Sequence, residues 1–190
     1  MAASTNKTTL RIGIIAEEKN DVEVLYEITA KIIPENSFTF KQFVGHGCGK
    51  LRKKCAAWAE NLVQKGCTRI VVVHDLDRHD EPELRQKLEA AIDGLDCERS
   101  LVLIPIEELE AWLLTDKHAI RDVFKMRRLP KIPRNTERIK DPKEFLESIV
   151  KRNSKTNYLN TVHNRRIANA LALDEVKRCK SFAQYPEFVT

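Results

Sequence analysis

The sequence predicts an α/β protein, a parallel sheet of about four strands flanked by helices. Two observations carry this. Short apolar runs of strand length alternate about four times with segments of helical spacing, the pattern of strand–helix–strand units. Composition agrees: 42% of residues are hydrophobic and 32% charged, enough apolar material for a packed core in a chain of 190 residues.

The elements read in order. LRIGIIA (10–16) is a buried strand. Val22, Leu25, Ile28 and Ile32 then fall at helical spacing, with Asn20 or Asp21 as the expected cap and Pro34 as the stop. SFTFKQFV (37–44) is a second strand, GHGCGK a turn, and 51–64 a helix closed by Gly66. TRIVVVHD is the third strand, followed by a helix with Pro82 in its first turn that runs to about Ile92. SLVLIPI is the fourth, and EELEAWLL opens a helix almost at once. RRLPKIPRN (127–135) is proline-broken and reads as a linker. DPKEFLESIV and residues 160–180 read as helical. This divides the chain into an α/β domain over 1–125 and a basic helical extension over 126–190, packed on it.

Charge is unevenly spread. Residues 1–116 hold 15 Lys/Arg and 20 Asp/Glu, whereas residues 117–180 hold 18 and 7. A basic second half points to a polyanion partner, with nucleic acid the first expectation; a solvated helical surface is the plainer reading. The five cysteines are scattered and form no C-x-x-C pair, so reduced, packed thiols are expected rather than disulfides or a zinc knuckle. No apolar run is long enough to span a membrane. The N-terminal MAASTNKTTLRIG lacks a basic segment followed by an apolar core, so no secretory signal is read and a cytoplasmic location is expected. Self-association is left open.

The stretch VVVHDLDRHD (71–80) carries the chemistry. A buried strand that ends in clustered acids needs a compensating charge, or a solvated loop. Asp75 and Asp77 leave one turn together, and Glu17, after the first strand, could join them. Such oxygens suit Mg²⁺, with Mn²⁺ an alternative; a bound divalent cation polarises a phosphodiester. Acids also follow the fourth strand as Glu107, Glu108 and Glu110. For Glu107 and Glu108 the preferred reading is a helix N-terminus that favours acids; Glu110 could complete the metal site. Trp112 reads as core. His74 and His79 flank the aspartates and could assist proton transfer. Lys50 and Arg52 follow the glycine-rich turn, which is not a P-loop because the spacing is wrong; phosphate binding there competes evenly with a plain turn. Arg78, Lys155, Arg165 and Arg166 are further candidate nucleic-acid contacts. His163–Asn164 resembles a fragment of an HNH nuclease, without the second histidine.

Glu17 and Asp21 after the first strand, followed by Asp75-x-Asp77 after a later one, resemble the Toprim fold of topoisomerases, primases and related nucleases, a Rossmann-like sheet. The resemblance implies that Glu17 acts as an acid/base or metal ligand and that Asp75 and Asp77 bind Mg²⁺. A common Toprim pattern has Gly directly after that Glu; here Glu18 stands there. Across most of the chain, IIAEEKNDVEVL, VVVHDLDRHD, IPIEELEAWLLTD and HNRRIANALALDEVKRCKSF look like a small Toprim-like family of bacterial defence loci. That likeness implies a Mg²⁺-dependent nuclease acting against phage on DNA or RNA, together with an ATPase, since no ATP-binding motif is present. The alternative is a non-catalytic Toprim-fold interaction or regulatory subunit. A receiver-like domain, with Asp75 accepting phosphate, is disfavoured because no Lys closes the last strand.

Overall fold

The structure, a computed structural model, describes residues 9–190; the part of the N-terminal stretch that precedes residue 9 lies outside the described residues. Four strands, Leu10–Ala16 (β1), Phe38–Val44 (β2), Arg69–Val73 (β3) and Arg99–Leu103 (β4), form one parallel sheet in the order β2-β1-β3-β4. The α/β class, parallel sheet and flanking helices read from the sequence are the observed architecture, and the fold is Rossmann-like. Lys19–Ile32 (α1), Cys48–Gln64 (α2) and Glu81–Ile92 (α3) link the strands.

Period-two alternation sorts the strand side chains onto two faces. Ile12, Ile14, Ala16, Val71, Val73 and Leu103 pack with α1, while Ile15, Ile70, Val72, Val102 and Ile104 pack with α2 and α3. Both faces are covered, which is why the central strands read as continuous apolar runs. Gly13 lets α2 lie close on β1: a Cβ there would stand 2.8 Å from Ile70 Cδ1 and 3.0 Å from Leu62 Cβ.

The rest of the chain covers the α1 face through short helices: Glu110–Leu113 (α4), Lys117–Val123 (α5), Pro142–Asn153 (α6), Asn160–Ala170 (α7), Leu173–Val176 (α8) and Tyr185–Val189 (α9). Helix α7 is pinned to α1 by Glu27, whose two carboxylate oxygens accept from Arg165 Nε and Asn169 Nδ2, each at 2.7 Å. Helix α9 is held at the amino end of the sheet, where Arg69 donates to the Phe188 carbonyl and Arg99 to the Glu187 carbonyl. Tyr185 and Thr29 hydroxyls meet at 2.6 Å in the interior. No helix among the described residues is long and apolar enough to cross a membrane.

Three sequence expectations are corrected. The cap of α1 is Glu18, not Asn20 or Asp21; Asp21 sits three residues in and accepts from the Glu18 amide at 2.8 Å. The helix expected from EELEAWLL is the four-residue α4, which ends where Asp116 caps α5 by accepting from the His118 and Ala119 amides. Residues 160–180 are not one helix. The chain turns extended at Leu171, and the Ala172 amide donates to Asp116 Oδ2 at 3.0 Å, so a tertiary partner replaces the next helical bond.

Candidate metal and active site

The strand order fixes where a site can form. The chain steps from β1 out to β2, then returns past β1 to β3, so the connections leave the carboxyl ends of β1 and β3 in opposite directions. The crevice between them is the usual ligand position in an open parallel sheet. Glu17 leaves the end of β1, and His74, Asp75 and Asp77 follow β3.

Hydrogen bonds orient these groups before any ligand arrives. Glu17 Oε1 accepts from the Asp75 amide at 3.2 Å and lies 3.0 Å from His74 Nδ1. The same Nδ1 is 2.6 Å from the Asp75 carbonyl. Both neighbours of Nδ1 are acceptors, so the proton belongs on Nδ1. His74 is fully buried and burial lowers its pKa, which keeps the ring neutral; its Nε2 has no partner. Asp75 Oδ1 accepts from the Leu109 amide at 3.0 Å. These bonds engage one oxygen each of Glu17 and Asp75.

The loops after β3 and β4 are held in an uncommon backbone form. Asp77, Arg78 and Glu107 have φ of 45°, 62° and 58°, in the left-handed region, and each such non-glycine residue costs roughly 1 kcal/mol or more. Cross-loop bonds hold the shape: the Leu76 amide donates to the Pro105 carbonyl at 3.0 Å and the Asp77 amide to the Glu107 carbonyl at 3.1 Å. The Glu107 side chain accepts from the Arg78 amide, and Glu108 accepts from the Lys143 amide at the start of α6. Glu107 and Glu108 therefore do not serve the N-terminus of α4, as the sequence suggested. They bind backbone amides 29 and 35 residues away.

Electrostatics mark the crevice as crowded. Burial, then the charges of Asp77 and Asp21, raise Glu17 to about 7. Burial raises Asp21 to about 7, with Glu110 and Glu18 adding to it and the Glu18 amide opposing it. Asp75 is pushed well above the usual carboxylate range by burial and by Asp21, Glu110, Glu17 and Asp77. Like charges in a partly dry site cannot all ionise without a compensating cation. Glu110, on the deep side, is buried; its Oε1 accepts from Tyr158 Oη at 2.9 Å and Asn164 Nδ2 at 3.0 Å.

The sequence-predicted residues fall into two groups. Glu17 and Asp77 meet at the crevice, and Asp75 and Glu110 lie behind them, outside that close group but near enough for the charges of Glu17, Asp77 and Glu110 to act on Asp75. Arg52 flanks it, with Nη1 2.9 Å from His79 Nε2 and its charge opposing the rise of Glu17. The cationic candidates elsewhere do not converge there. Arg78 pairs with Asp141 at 2.6 Å and Arg165 with Glu27 at 2.7 Å. Lys50 and Arg166 are exposed on α2 and α7, and Lys155 lies beyond the end of α6. The amides of Gly45 and His46, in the glycine-rich turn, donate to the Ala16 and Glu17 carbonyls at 2.9 Å each, extending the sheet pairing. Trp112 is core, with Nε1 donating to Ser181 Oγ at 2.8 Å. His163 is buried against the Phe124 ring, 4.8 Å between centroids, which leaves no HNH-like site.

Sequence reasoning notes two further participants without giving either a place at the site. Asp21, which reads as a helix cap and as the partner of Glu17 in the Toprim-like motif, joins the acids from inside α1, and Cys48, which with His46 could begin a metal site, reads as an incidental thiol. Cys48, at the first turn of α2, brings its sulfur to within 4.8 Å of carboxylate oxygens of both Glu17 and Asp77. In that tight trio Cys48 stands where Asp75 was expected; only the fold brings it there. Hard carboxylate oxygens suit Mg²⁺ or Mn²⁺, whereas the thiol at that corner suits a softer ion such as Zn²⁺.

Residues 16–189 match the family described as a domain of unknown function (DUF4276), and the chain belongs to that family. No curated protein and no solved structure matches it.

Proposed function

We propose that this DUF4276 chain is a divalent-metal-dependent phosphodiesterase, a nuclease acting on DNA or RNA, with Glu17, Asp75 and Asp77 holding Mg²⁺ or Mn²⁺. The observation that carries the reading is the crowding of these carboxylates at the switch point of the sheet: Glu17 and Asp77 come together there, and Asp75 stands behind them with its amide bonded to Glu17, so that Glu17 and Asp75 are raised above the carboxylate range. Neutralising such a cluster is work for a cation. When bound, the ion would polarise a phosphodiester and lower the pKa of an attacking water.

The protein's own groups supply the rest. Neutral His74 fixes one oxygen of Glu17, the Leu109 amide fixes one of Asp75, and the strained turn at Asp77 and Arg78 sets the third carboxylate. Without a cation, burial and the neighbouring acids hold Glu17 near 7; a bound cation would lower this and keep the carboxylate charged as a ligand. Arg52 stands beside the crevice as a cation for a substrate phosphate. The resemblance to Toprim nucleases of bacterial defence loci supports the same chemistry and adds an ATPase partner to the proposal.

The non-catalytic alternative drew on Glu18 in place of a common glycine. Glu18 has φ −128° and ψ 161°, an extended conformation open to any residue. The backbone at Glu18 therefore does not require glycine.

The test is cleavage of labelled single- and double-stranded DNA, total RNA and tRNA with Mg²⁺ or Mn²⁺, alone and with a neighbouring ATPase. Wild type is compared with Asp75→Ala plus Asp77→Ala. Metal-dependent cleavage that disappears in the double variant is expected. A folded protein that cleaves nothing in any condition contradicts the reading.

A further inference from the structure

A second charged feature lies away from the acids. Phe124 ends α5, and the chain then passes through Lys125, Arg127 and Arg128; across from it, α6 ends in Arg152 and Asn153, followed by Ser154 and Lys155. Together they line a hollow of about 800 Å³. Its walls are tied together rather than loosely apposed. Ser154 Oγ donates to the Phe124 carbonyl at 2.8 Å and accepts from the Thr156 amide at 3.1 Å. Lys125 is in the left-handed region, φ 51°, and the Met126 amide donates back to the Arg121 carbonyl at 2.9 Å. Buried Met126 thus anchors the wall while Lys125, Arg127 and Arg128 remain exposed.

The charge of this hollow is one-sided. Five cations line it and no acid does. None of the five makes an ion pair among the described residues. A basic residue in the last turn of a helix complements the dipole, and Arg152 serves α6 in that way. Lys125, Arg127, Arg128 and Lys155 lie outside the helices, where that explanation does not reach.

We propose that this hollow binds the phosphate backbone of the nucleic acid, holding the strand that the acidic crevice acts on. The ligand class rests on the nuclease reading; the site is argued from its own geometry. Three arginines offer planar forks that match phosphate oxygens. Phe124, the one large apolar side chain in the lining, is buried, so no large apolar side chain of the lining is offered to acyl chains. The hollow is linked to the acids through the interior. The Phe124 ring packs 6.4 Å from that of Tyr158, whose hydroxyl donates to Glu110.

Fluorescence anisotropy with labelled single-stranded RNA, single-stranded DNA and duplex DNA, in EDTA across a salt series, tests this without any need for cleavage. Wild type is compared with Arg127→Ala/Arg128→Ala/Arg152→Ala and with the charge-preserving triple lysine variant. The alanine variant is expected to bind at least about tenfold more weakly at about 0.1 M salt, with a log–log salt slope for single strands shallower by about 2. The lysine variant is expected to retain most of the slope. Equal affinity and slope in the alanine variant would overturn the proposal. So would the absence of oligonucleotide binding by wild type, or binding to phosphatidylserine vesicles in its place. Oligonucleotide binding through these arginines, without cleavage in the metal assay, would instead overturn the nuclease reading and leave the hollow assigned.

Discussion

The acidic crevice and the basic hollow store charge in opposite ways. The acids come from the ends of β1 and β3, from α1 and from α4, and the fold presses them together in a partly buried site. The cations come from two short segments and stand in solvent. Solvated like charges cost little at physiological salt; desolvated ones must take up protons or a counterion. The crevice is therefore the region that the fold maintains at the expense of stability, and the one whose behaviour should change most with pH and metal.

The largest effect is expected on catalysis. Asp77→Asn keeps the shape of the loop and removes one charge from the site. Metal-dependent cleavage should fall by at least about a hundredfold, while melting without metal stays the same or rises slightly. A variant that cleaves at wild-type rate would place the metal elsewhere.

The next effect is on stability against pH. Glu17 and Asp21 titrate near 7 in the folded chain, above their unfolded values of 4.5 and 3.8. Below the unfolded values both states are protonated and nothing is lost. As pH rises towards 7 the unfolded chain releases these protons while the folded one retains them, so stability falls; above 7 the loss levels off. Each group contributes at most about 1.4 kcal/mol per pH unit within its window. Glu17→Gln should make the decline shallower in urea titrations from pH 4 to 8, and an unchanged profile would remove Glu17 from the crowded set.

Smaller effects separate buried from exposed ion pairs. Arg165→Ala leaves the buried Glu27 with Asn169 as its remaining side-chain donor, and a loss of about 1–2 kcal/mol in urea unfolding is expected. Arg78→Ala breaks a pair whose partners are both exposed, and less than about 1 kcal/mol should be lost. A reversed ranking would mean that exposure does not decide the value of these pairs.

Much of this was readable before the fold was known. Runs such as Arg69–Val73 and Leu10–Ala16 declared buried parallel strands, and Glu17, Asp75 and Asp77 stood at strand ends, where the topology gathers ligands. Roles set by long-range contacts were not readable. Asp116 interrupts the C-terminal helix by accepting from Ala172, 56 residues away. Glu107 binds an amide of the loop after β3 and Glu108 one at the start of α6, and Cys48 reaches the acids only because β2 lies beside β1. Nothing in the segment of Arg165 shows that Glu27 will meet it.

The most direct test of the central claim is calorimetric melting with and without Mg²⁺ or Mn²⁺ at pH 8 and pH 5, for wild type and Asp77→Asn. A cation held by deprotonated carboxylates at about a hundred times its dissociation constant adds about 2.7 kcal/mol. For a chain of this length that should raise wild-type Tm by about 5–10 °C at pH 8. The rise should be much smaller at pH 5, where protons compete, and largely absent in the variant. Equal rises at both pH values, or in both proteins, would contradict a metal site built on these carboxylates.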